Sequence, residues 1–99
     1  MVNNRKLELV KKIAKNKGIK NWDTLEVSNN KNKRFSIISP NGYKIHFGLY
    51  PYKVGTYIDH NNDTLRKNWR ARHSKILKNG RPAFLNPESP AFYSWFLLW

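Results

Sequence analysis

The sequence contains no cysteine, which excludes disulfide bonds and cysteine-ligated zinc. Acidic residues are also scarce, since six Asp and Glu stand against nineteen Lys and Arg, for a net charge of +13. No apolar run approaches the ~18 residues that a transmembrane helix needs, and the N-terminal residues are too polar for a secretory signal. We therefore expect a protein that is not secreted, has no membrane span and binds a polyanion or an acidic partner.

Aromatic side chains are abundant, with four Trp, five Tyr and five Phe in 99 residues. Their large buried areas compensate for the small core of so short a chain. The sequence predicts a single small basic domain over residues 1–99. The fold class is α+β, a small three-stranded antiparallel meander packed with three helices. The side chains expected in the core are Trp22, Phe35, Phe47, Trp69 and Trp95.

The N-terminal half contains the first helix and the meander. An amphipathic helix is predicted over 4–17, where apolar residues recur at helical spacing and Gly18 follows as a stop. The meander is predicted over 24–48. Its second turn is Ser39–Gly42, in which Pro presets φ and Gly accepts a positive φ.

The C-terminal half contains two predicted helices. A basic helix is expected over 62–78, with Gly80 as its stop. An aromatic helix is expected over 90–99, with Ser89 as its N-cap and Pro90 at its first position.

The basic helix is the richest source of candidate contacts, because the sequence from Leu65 to Arg81 has no acidic residue. At ~100° per residue, Leu65, Trp69 and Ile76 share one side, which we expect to face the core. The outward side and the lysine-rich face of the first helix are expected to bind phosphates. The predicted contacts are Arg66, Lys67, Arg70, Lys75, Lys78, Lys11 and Lys12.

Four further polar residues are predicted to position the helix rather than to bind a ligand: His60, Asp63, Arg72 and His73. Asp63 precedes two cations at the spacing of helix-surface ion pairs. Arg72 falls close to the core side, so it needs a partner, which Asp59 or Glu88 can provide. The alternative is an arginine that emerges at a ligand groove.

A catalytic alternative rests on Asp59-His60 and Asn68, which are similar to the Asp-His and Asn elements of HNH nucleases. In this interpretation His60 is the general base, and a divalent metal is held by Asp59 and a later His or Asn, for which His73 is a candidate. The HNH motif places a strand and a loop between the Asp-His pair and the helix, whereas here a helix is predicted almost directly after His60. We therefore favour a non-enzymatic protein with no catalytic residue, no metal and no cofactor.

Three segments together carry a family resemblance: "YKIHFG" (43–48), "YIDHNNDTLRKNWRARHSK" (57–75) and "SPAFYSWFLLW" (89–99). They resemble small basic proteins of unknown function encoded by nucleocytoplasmic large DNA viruses, over about residues 43–99. The resemblance implies a viral origin and a location in the virion or in the virus factory of the host cytoplasm. It implies no mechanism. The matching positions are Lys44, Phe47, Gly48, His60, Asp63, Arg66, Lys67, Arg72, His73, Leu97, Leu98 and Trp99.

Two non-enzymatic functions remain. The first is binding of DNA or RNA mainly through phosphates, since no signature of a sequence-reading domain is present. The second is a structural role in the virion, in which the positive charge meets acidic capsid proteins or the genome. In that case the aromatic C-terminal segment docks on a partner.

Overall fold

The computed structural model describes residues 4–50 and 55–99, with side chains for 6–50 and 55–99. A three-stranded antiparallel sheet, with helices packed against it, gives the α+β fold that the sequence predicts. The elements are α1 (Asn4–Asn16), a 3₁₀ helix (Trp22–Thr24), β1 (Glu26–Val27), β2 (Lys33–Ile38), β3 (Lys44–Leu49), α2 (Tyr57–His60), α3 (Asp63–His73), β4 (Leu77–Lys78), β5 (Arg81–Pro82), a second 3₁₀ helix (Ala83–Leu85) and α4 (Pro90–Tyr93). A π-helical segment (Ser94–Leu98) continues α4, and the two together are called the C-terminal helix below.

The first helix ends where the sequence predicts. Gly18 has a φ of +70°, and the Ile19 N–H donates to the Ala14 carbonyl at 3.0 Å. A left-handed glycine after the last turn is a common way to end a helix. Val10 and Ala14 are fully buried, so α1 covers the sheet with its apolar side.

The meander is confirmed, and its register places two predicted core residues opposite each other. Phe35 on β2 pairs with Phe47 on β3; both side chains are fully buried and their ring centroids are 5.9 Å apart. The turn between these strands closes through a hydrogen bond of 2.9 Å from the Gly42 N–H to the Ser39 carbonyl. The buried core cluster consists of Val10, Ala14, Leu25, Phe35, Ile37, Phe47, Tyr93, Leu97 and Leu98.

The three predicted core tryptophans are less buried than expected. Trp22 is partly buried and packs against the core cluster. Trp69 and Trp95 are also partly buried and lie against each other, with ring centroids 5.8 Å apart. These two residues belong to a second aromatic assembly, described below.

The basic helix predicted over 62–78 is shorter than expected. Its last helical residue is His73, and Leu77–Lys78 pairs with Arg81–Pro82 as a hairpin. Asn79 and Gly80 form the turn with φ values of +56° and +78°. A tight two-residue hairpin turn needs positive φ at both central positions, which makes Asn-Gly a strong hairpin signal. Gly80 is therefore part of a β-turn and is not the stop of the helix.

The C-terminal helix begins as predicted. The Ser89 hydroxyl accepts a hydrogen bond from the Ala91 N–H at 3.3 Å, and Pro90 occupies the first turn. The side chains of Tyr93, Leu97 and Leu98 are buried in the core. Within 4–50 and 55–99, no helix is long and apolar enough to cross a membrane.

A buried ion pair joins the sheet to α2. The side chain of Arg34 on β2 is fully buried, and its guanidinium donates to the two carboxylate oxygens of Asp59 at 2.7 and 3.2 Å. Asp59 also accepts from the Thr56 N–H at 2.7 Å, in a capping box that begins α2. Hydrogen bonds of this kind are required because an unpaired charge in the interior is strongly destabilising.

Two glycines make room for this ion pair. A Cβ atom at Gly48 would lie 3.1 Å from both Arg34 Cβ and Leu98 Cδ1. A Cβ atom at Gly55 would lie 2.6 Å from Asp59 Oδ2. Both glycines also have positive φ values, +83° and +81°. A side chain at either position would strain the backbone and displace the ion pair.

We predict that Asp59→Asn lowers the free energy of unfolding by roughly 3 kcal/mol, because it leaves the buried Arg34 guanidinium without a counter-charge. Urea unfolding followed by circular dichroism measures this loss. The matched control is Glu26→Gln, which removes the exposed ion pair of Glu26 with Lys44 (2.7 Å) and should leave the midpoint nearly unchanged. Equal effects of the two substitutions would contradict the structural role of the buried pair.

Candidate nucleic-acid interface

One stripe of side chains on helix α3 packs against the other elements of the molecule. Asn62 caps the helix, since its side-chain oxygen accepts from the N–H groups of Thr64 and Leu65. Every residue of α3 is at least partly exposed. The less exposed ones recur at helical spacing: Arg66, Trp69, Arg70 and His73. This stripe differs from the predicted inner side, because Leu65 and Ile76 are 38% and 47% exposed.

Stacked rings hold α3 against the C-terminal helix. The Trp69 ring is nearly parallel to that of Trp99, at 4.9 Å and 9°. On the same helix, Trp69 and His73 stack at 4.0 Å. Trp95 lies beside Trp69 and stacks on Phe84 at 4.0 Å. We call these five residues the aromatic stack, and offset or tilted contacts of this kind are favourable for aromatic pairs.

Two arginines of α3 are part of this packing. The Arg66 guanidinium lies 4.7 Å from the Tyr57 ring, and its Nε donates to the Trp99 carbonyl at 2.7 Å. The Arg70 guanidinium lies 5.0 Å from the Trp95 ring. Burial, with the nearby charge of Arg66, lowers the pKa of Arg70. The prediction that Arg66 and Arg70 point outward is therefore wrong. Arg66 is held by the Tyr57 ring of α2 and the Trp99 carbonyl, and Arg70 by the Trp95 ring of the C-terminal helix.

The exposed cations of this region lie on α3 outside its less exposed stripe, in the turn that follows α3, and on the hairpin. We call them the cationic face: Lys67, Arg72, Lys75, Lys78 and Arg81. It includes three of the predicted phosphate contacts. Of the two predicted on α1, Lys12 is exposed and Lys11 is partly buried. Their binding to phosphate stays a prediction.

The predicted burial of Arg72 is also wrong, since this side chain is exposed. The two carboxylates proposed as its partners are engaged elsewhere. Asp59 binds Arg34, and Glu88 Oε2 accepts from the Asn41 N–H at 3.1 Å. The physical reason is the rotation of α3. Its inner side is centred on Arg66, Trp69, Arg70 and His73 instead of on Leu65 and Ile76, which carries Arg72 away from the core.

The other three residues predicted to position the helix lie where α3 meets its supports. His60 Nδ1 accepts from the Asn62 N–H at 2.9 Å, and the His60 ring lies 5.5 Å from that of Trp99. Asp63 accepts from the Tyr57 hydroxyl at 2.8 Å. Burial, followed by the charge of Arg72, lowers the pKa of His73, so its stacked ring is neutral at neutral pH.

The residues of the nuclease hypothesis occupy separate environments. Asp59 and His60 both lie on the short helix α2 instead of on a strand, and Asp59 is bound to Arg34. Asn68 is exposed in the middle of α3, while His73 stacks on Trp69. Among the residues that the structure describes, no group of three or more His, Asp or Glu side chains is placed to hold a metal ion.

The Asp59 carboxyl is held in its charged form. Burial alone would raise its pKa, but the hydrogen bonds from Arg34 and Thr56, together with the Arg34 charge, outweigh this effect and lower it. A carboxylate with a depressed pKa is a poor general base and a good partner in an ion pair.

Sequence reasoning missed two cations that organise the region. Arg34 follows Lys33 in a strand with no local sign that one of the two is buried. Lys17 ends α1, and its Nζ donates to the Phe96 carbonyl at 2.7 Å. Burial, then the charges of Arg70 and Arg66, lower the pKa of Lys17. Lys17, Arg66 and Arg70 all contact the C-terminal segment, so the end of α1 lies near α3, which no local sequence pattern indicates.

Comparison with known proteins identifies one family. A family of unknown function (DUF5754) matches residues 24–73, which is half of the chain. The matched region runs from the end of the first 3₁₀ helix to the last residue of α3 and includes both partners of the buried ion pair. It also includes β1 and β2, which lie outside the viral resemblance. No curated protein and no solved structure matches the chain.

We predict that part of the acid sensitivity of this protein comes from Asp59. Because its pKa is lowered in the folded state, its stabilising effect is complete above the unfolded value of ~3.9 and is lost as the pH falls below that value. Urea midpoints measured from pH 7 to pH 2 should therefore decline less steeply below about pH 4 in Asp59→Asn than in the unmodified protein. Parallel declines in the two proteins would contradict this assignment.

We predict that Trp69→Ala costs about 1–3 kcal/mol, less than the ~3–5 kcal/mol of a fully buried tryptophan, because the ring is partly exposed but loses several stacking contacts. Leu65→Ala is the control on the same helix and should stay within about 0.5 kcal/mol. Urea unfolding gives both values. Near-ultraviolet circular dichroism should change only in Trp69→Ala, and an unchanged spectrum would contradict the stack.

Proposed function

The chain belongs to the DUF5754 family, whose description assigns no activity, and from the geometry of α3 we propose a non-catalytic protein that binds nucleic acid through phosphates. The observation that carries this proposal is the cationic face. Its exposed side chains follow one another from α3 into the β4–β5 hairpin, and the sequence has no acid between Asp63 and Glu88. None of the five is in an ion pair in the described part of the chain, and Lys78 makes one 3.5 Å hydrogen bond to the Glu88 carbonyl. Exposed cations distributed in this way suit a polyanion better than a compact ligand.

Counterion release supplies the binding free energy in this proposal. Each lysine or arginine that neutralises a phosphate frees condensed cations from the nucleic acid, whatever the base sequence. The cationic face contains more lysines than arginines. Flexible lysines are suited to contacts with phosphates, whereas bidentate recognition of bases favours arginine. We therefore propose binding with little sequence specificity, to DNA or RNA.

The aromatic stack supports the proposal by fixing the face in place. Trp69 of α3 stacks on Trp99, and Arg70 of α3 lies over the Trp95 ring, so these contacts fix which side α3 presents to solvent. A fixed row of charges loses less conformational entropy on binding than a disordered basic tail does.

A structural role in the virion is the second candidate, and one observation favours it. Three apolar side chains are exposed beside the cationic face: Ile76 (47%), Leu77 (62%) and Leu85 (57%). Apolar groups next to cations suit an acidic protein surface such as that of a capsid protein. The proposed viral origin, and a location in the virion or virus factory, rest on the resemblance of residues 43–99 described above.

We predict that replacing two cations of the face, in Lys67→Gln/Lys75→Gln, weakens binding to all duplex sequences about equally. The slope of log K against log salt should flatten by about two, since each phosphate contact contributes about 0.9. Fluorescence anisotropy with a labelled 16-base-pair duplex at several salt concentrations measures both effects. Arg66 and Arg70 are unsuitable for this test, because their loss also disturbs the stack.

The matched control is Lys31→Gln/Lys33→Gln, which removes the same charge before and at the start of β2, away from the Glu26–Lys44 ion pair, and should leave the slope nearly unchanged. Equal losses in the two variants would show a diffuse charge effect instead of a defined face. If the unmodified protein binds neither DNA nor RNA at low salt, the proposal is wrong and the virion-structural candidate takes its place.

A further inference from the structure

A groove lies between the end of α1 and the C-terminal helix, on a surface that the proposed function does not use. Its volume is about 620 Å³, within the range of pockets that hold small ligands. Its walls include Ile19, Pro87, Phe92 and Phe96, and Lys17 and Lys20 stand at its rim. A ligand for this groove needs an apolar, preferably flat part and a negative charge.

The aromatic side of the groove suits a planar ring. Phe92 and Phe96 are one helical turn apart, with centroids 4.9 Å apart and ring planes at 52°. Tyr93 lies at the base of the groove, and its hydroxyl donates a hydrogen bond of 2.7 Å to the Pro87 carbonyl. Burial raises the pKa of Tyr93 to about 12. The base of the groove therefore presents ring faces more than free polar groups, which favours stacking without hydrogen-bond recognition.

The positive charge of the two lysines at the rim of the groove favours an anionic ligand. Lys17 Nζ donates one hydrogen to the Phe96 carbonyl and lies 5.7 Å from the centroid of the Phe96 ring, so a base can stack only on the part of that ring that the ammonium leaves open. Two further N–H donors of Lys17 remain. Lys20 is exposed. The described residues that line the groove include two lysines and no Asp or Glu. The Glu88 carboxylate lies outside the lining, where it accepts from the Asn41 N–H, and, in addition to burial, its charge contributes to the raised pKa of Tyr93.

The positive charge at the rim of the groove lies close to the positive charge of Arg66 and Arg70 on α3. Lys17 donates to the Phe96 carbonyl and Arg66 to the Trp99 carbonyl, both at 2.7 Å, so both cations sit at the end of one helix. Arg70 lies on the Trp95 ring of the same helix. Repulsion from Arg70 and Arg66 contributes to the lowered pKa of Lys17, and a bound phosphate would relieve it.

We infer that this groove holds one unpaired base of a single-stranded nucleic acid, stacked on Phe96, with the adjoining phosphates on Lys17 and Lys20. This inference rests on the proposed function and names its substrate class, because a base within a duplex is not available to enter a groove. A strand seated here would continue past Arg70 and Arg66 toward α3.

The test compares two labelled octamers of equal charge, oligothymidylate and an oligomer of base-free deoxyribose phosphate. Unmodified protein should bind oligothymidylate roughly tenfold more tightly, as expected for stacking of a base on an aromatic ring. Phe96→Leu should reduce this ratio to near one while leaving the affinity for the base-free oligomer unchanged. Lys20→Gln should weaken binding of both oligomers, whereas the control Lys31→Gln should weaken neither.

Each other outcome has a defined meaning. If neither octamer binds at low salt and duplexes also fail to bind, the proposed function is wrong. If both octamers bind equally well, or if the preference for bases survives in Phe96→Leu, the groove is not the base site although phosphate binding stands.

A titration with thymidine 5′-monophosphate gives a second measurement that needs no variant. Thymidine 5′-monophosphate should change the amide chemical shifts of Gly18, Lys20 and Phe96 in the unmodified protein. Deoxyribose 5-phosphate, which has no base, should leave the amide chemical shift of Phe96 unchanged. Shifts confined to α3 would overturn the inference, and so would identical shifts with the two ligands.

Discussion

The ion pair between Arg34 and Asp59 is the constraint on which the arrangement of this molecule depends. It joins the central strand of the sheet to the short helix that precedes α3, and both charges lie where water cannot solvate them freely. The pair therefore requires further hydrogen bonds, and the N–H and hydroxyl groups of Thr56 both donate to Asp59. Gly48 and Gly55 follow from the same requirement, since a side chain at either position would collide with one partner. Because α2 is fixed in this way, the starting point of α3 is fixed as well.

Beyond that point α3 depends on a different kind of interaction. Its contacts with the C-terminal helix are stacked rings and cation–π pairs rather than buried aliphatic side chains. Such contacts tolerate partial exposure, which explains how a helix with no fully buried residue has a defined orientation. The family match ends with α3, whereas the rings that support it, Trp95 and Trp99, come later in the chain.

Some of the cationic side chains of this protein stabilise the fold, and others are exposed at the surface. Arg34, Arg66, Arg70 and Lys17 are engaged by a carboxylate, by ring faces or by main-chain carbonyls. The lysines and arginines of the cationic face are solvated. A net charge of +13 therefore overstates the number of cations that are available to a polyanion. The proposed nucleic-acid binding depends on the second group.

Local patterns in the sequence were sufficient for α1 with its glycine stop, the antiparallel meander, the Ser-Pro start of the C-terminal helix, and the burial of Phe35 and Phe47. Caps, turns and alternation act over a few residues, so the chain displays them directly. The Asn-Gly hairpin signal was equally local. It was interpreted as the end of a helix because the helical pattern of α3 precedes it directly. The partner of Asp59, the rotation of α3 and the groove were decided only by tertiary structure. Each depends on residues far apart in the chain, such as Arg34 with Asp59 or Lys17 with Phe96, and helical periodicity alone does not distinguish an aliphatic inner side from one made of arginine and tryptophan.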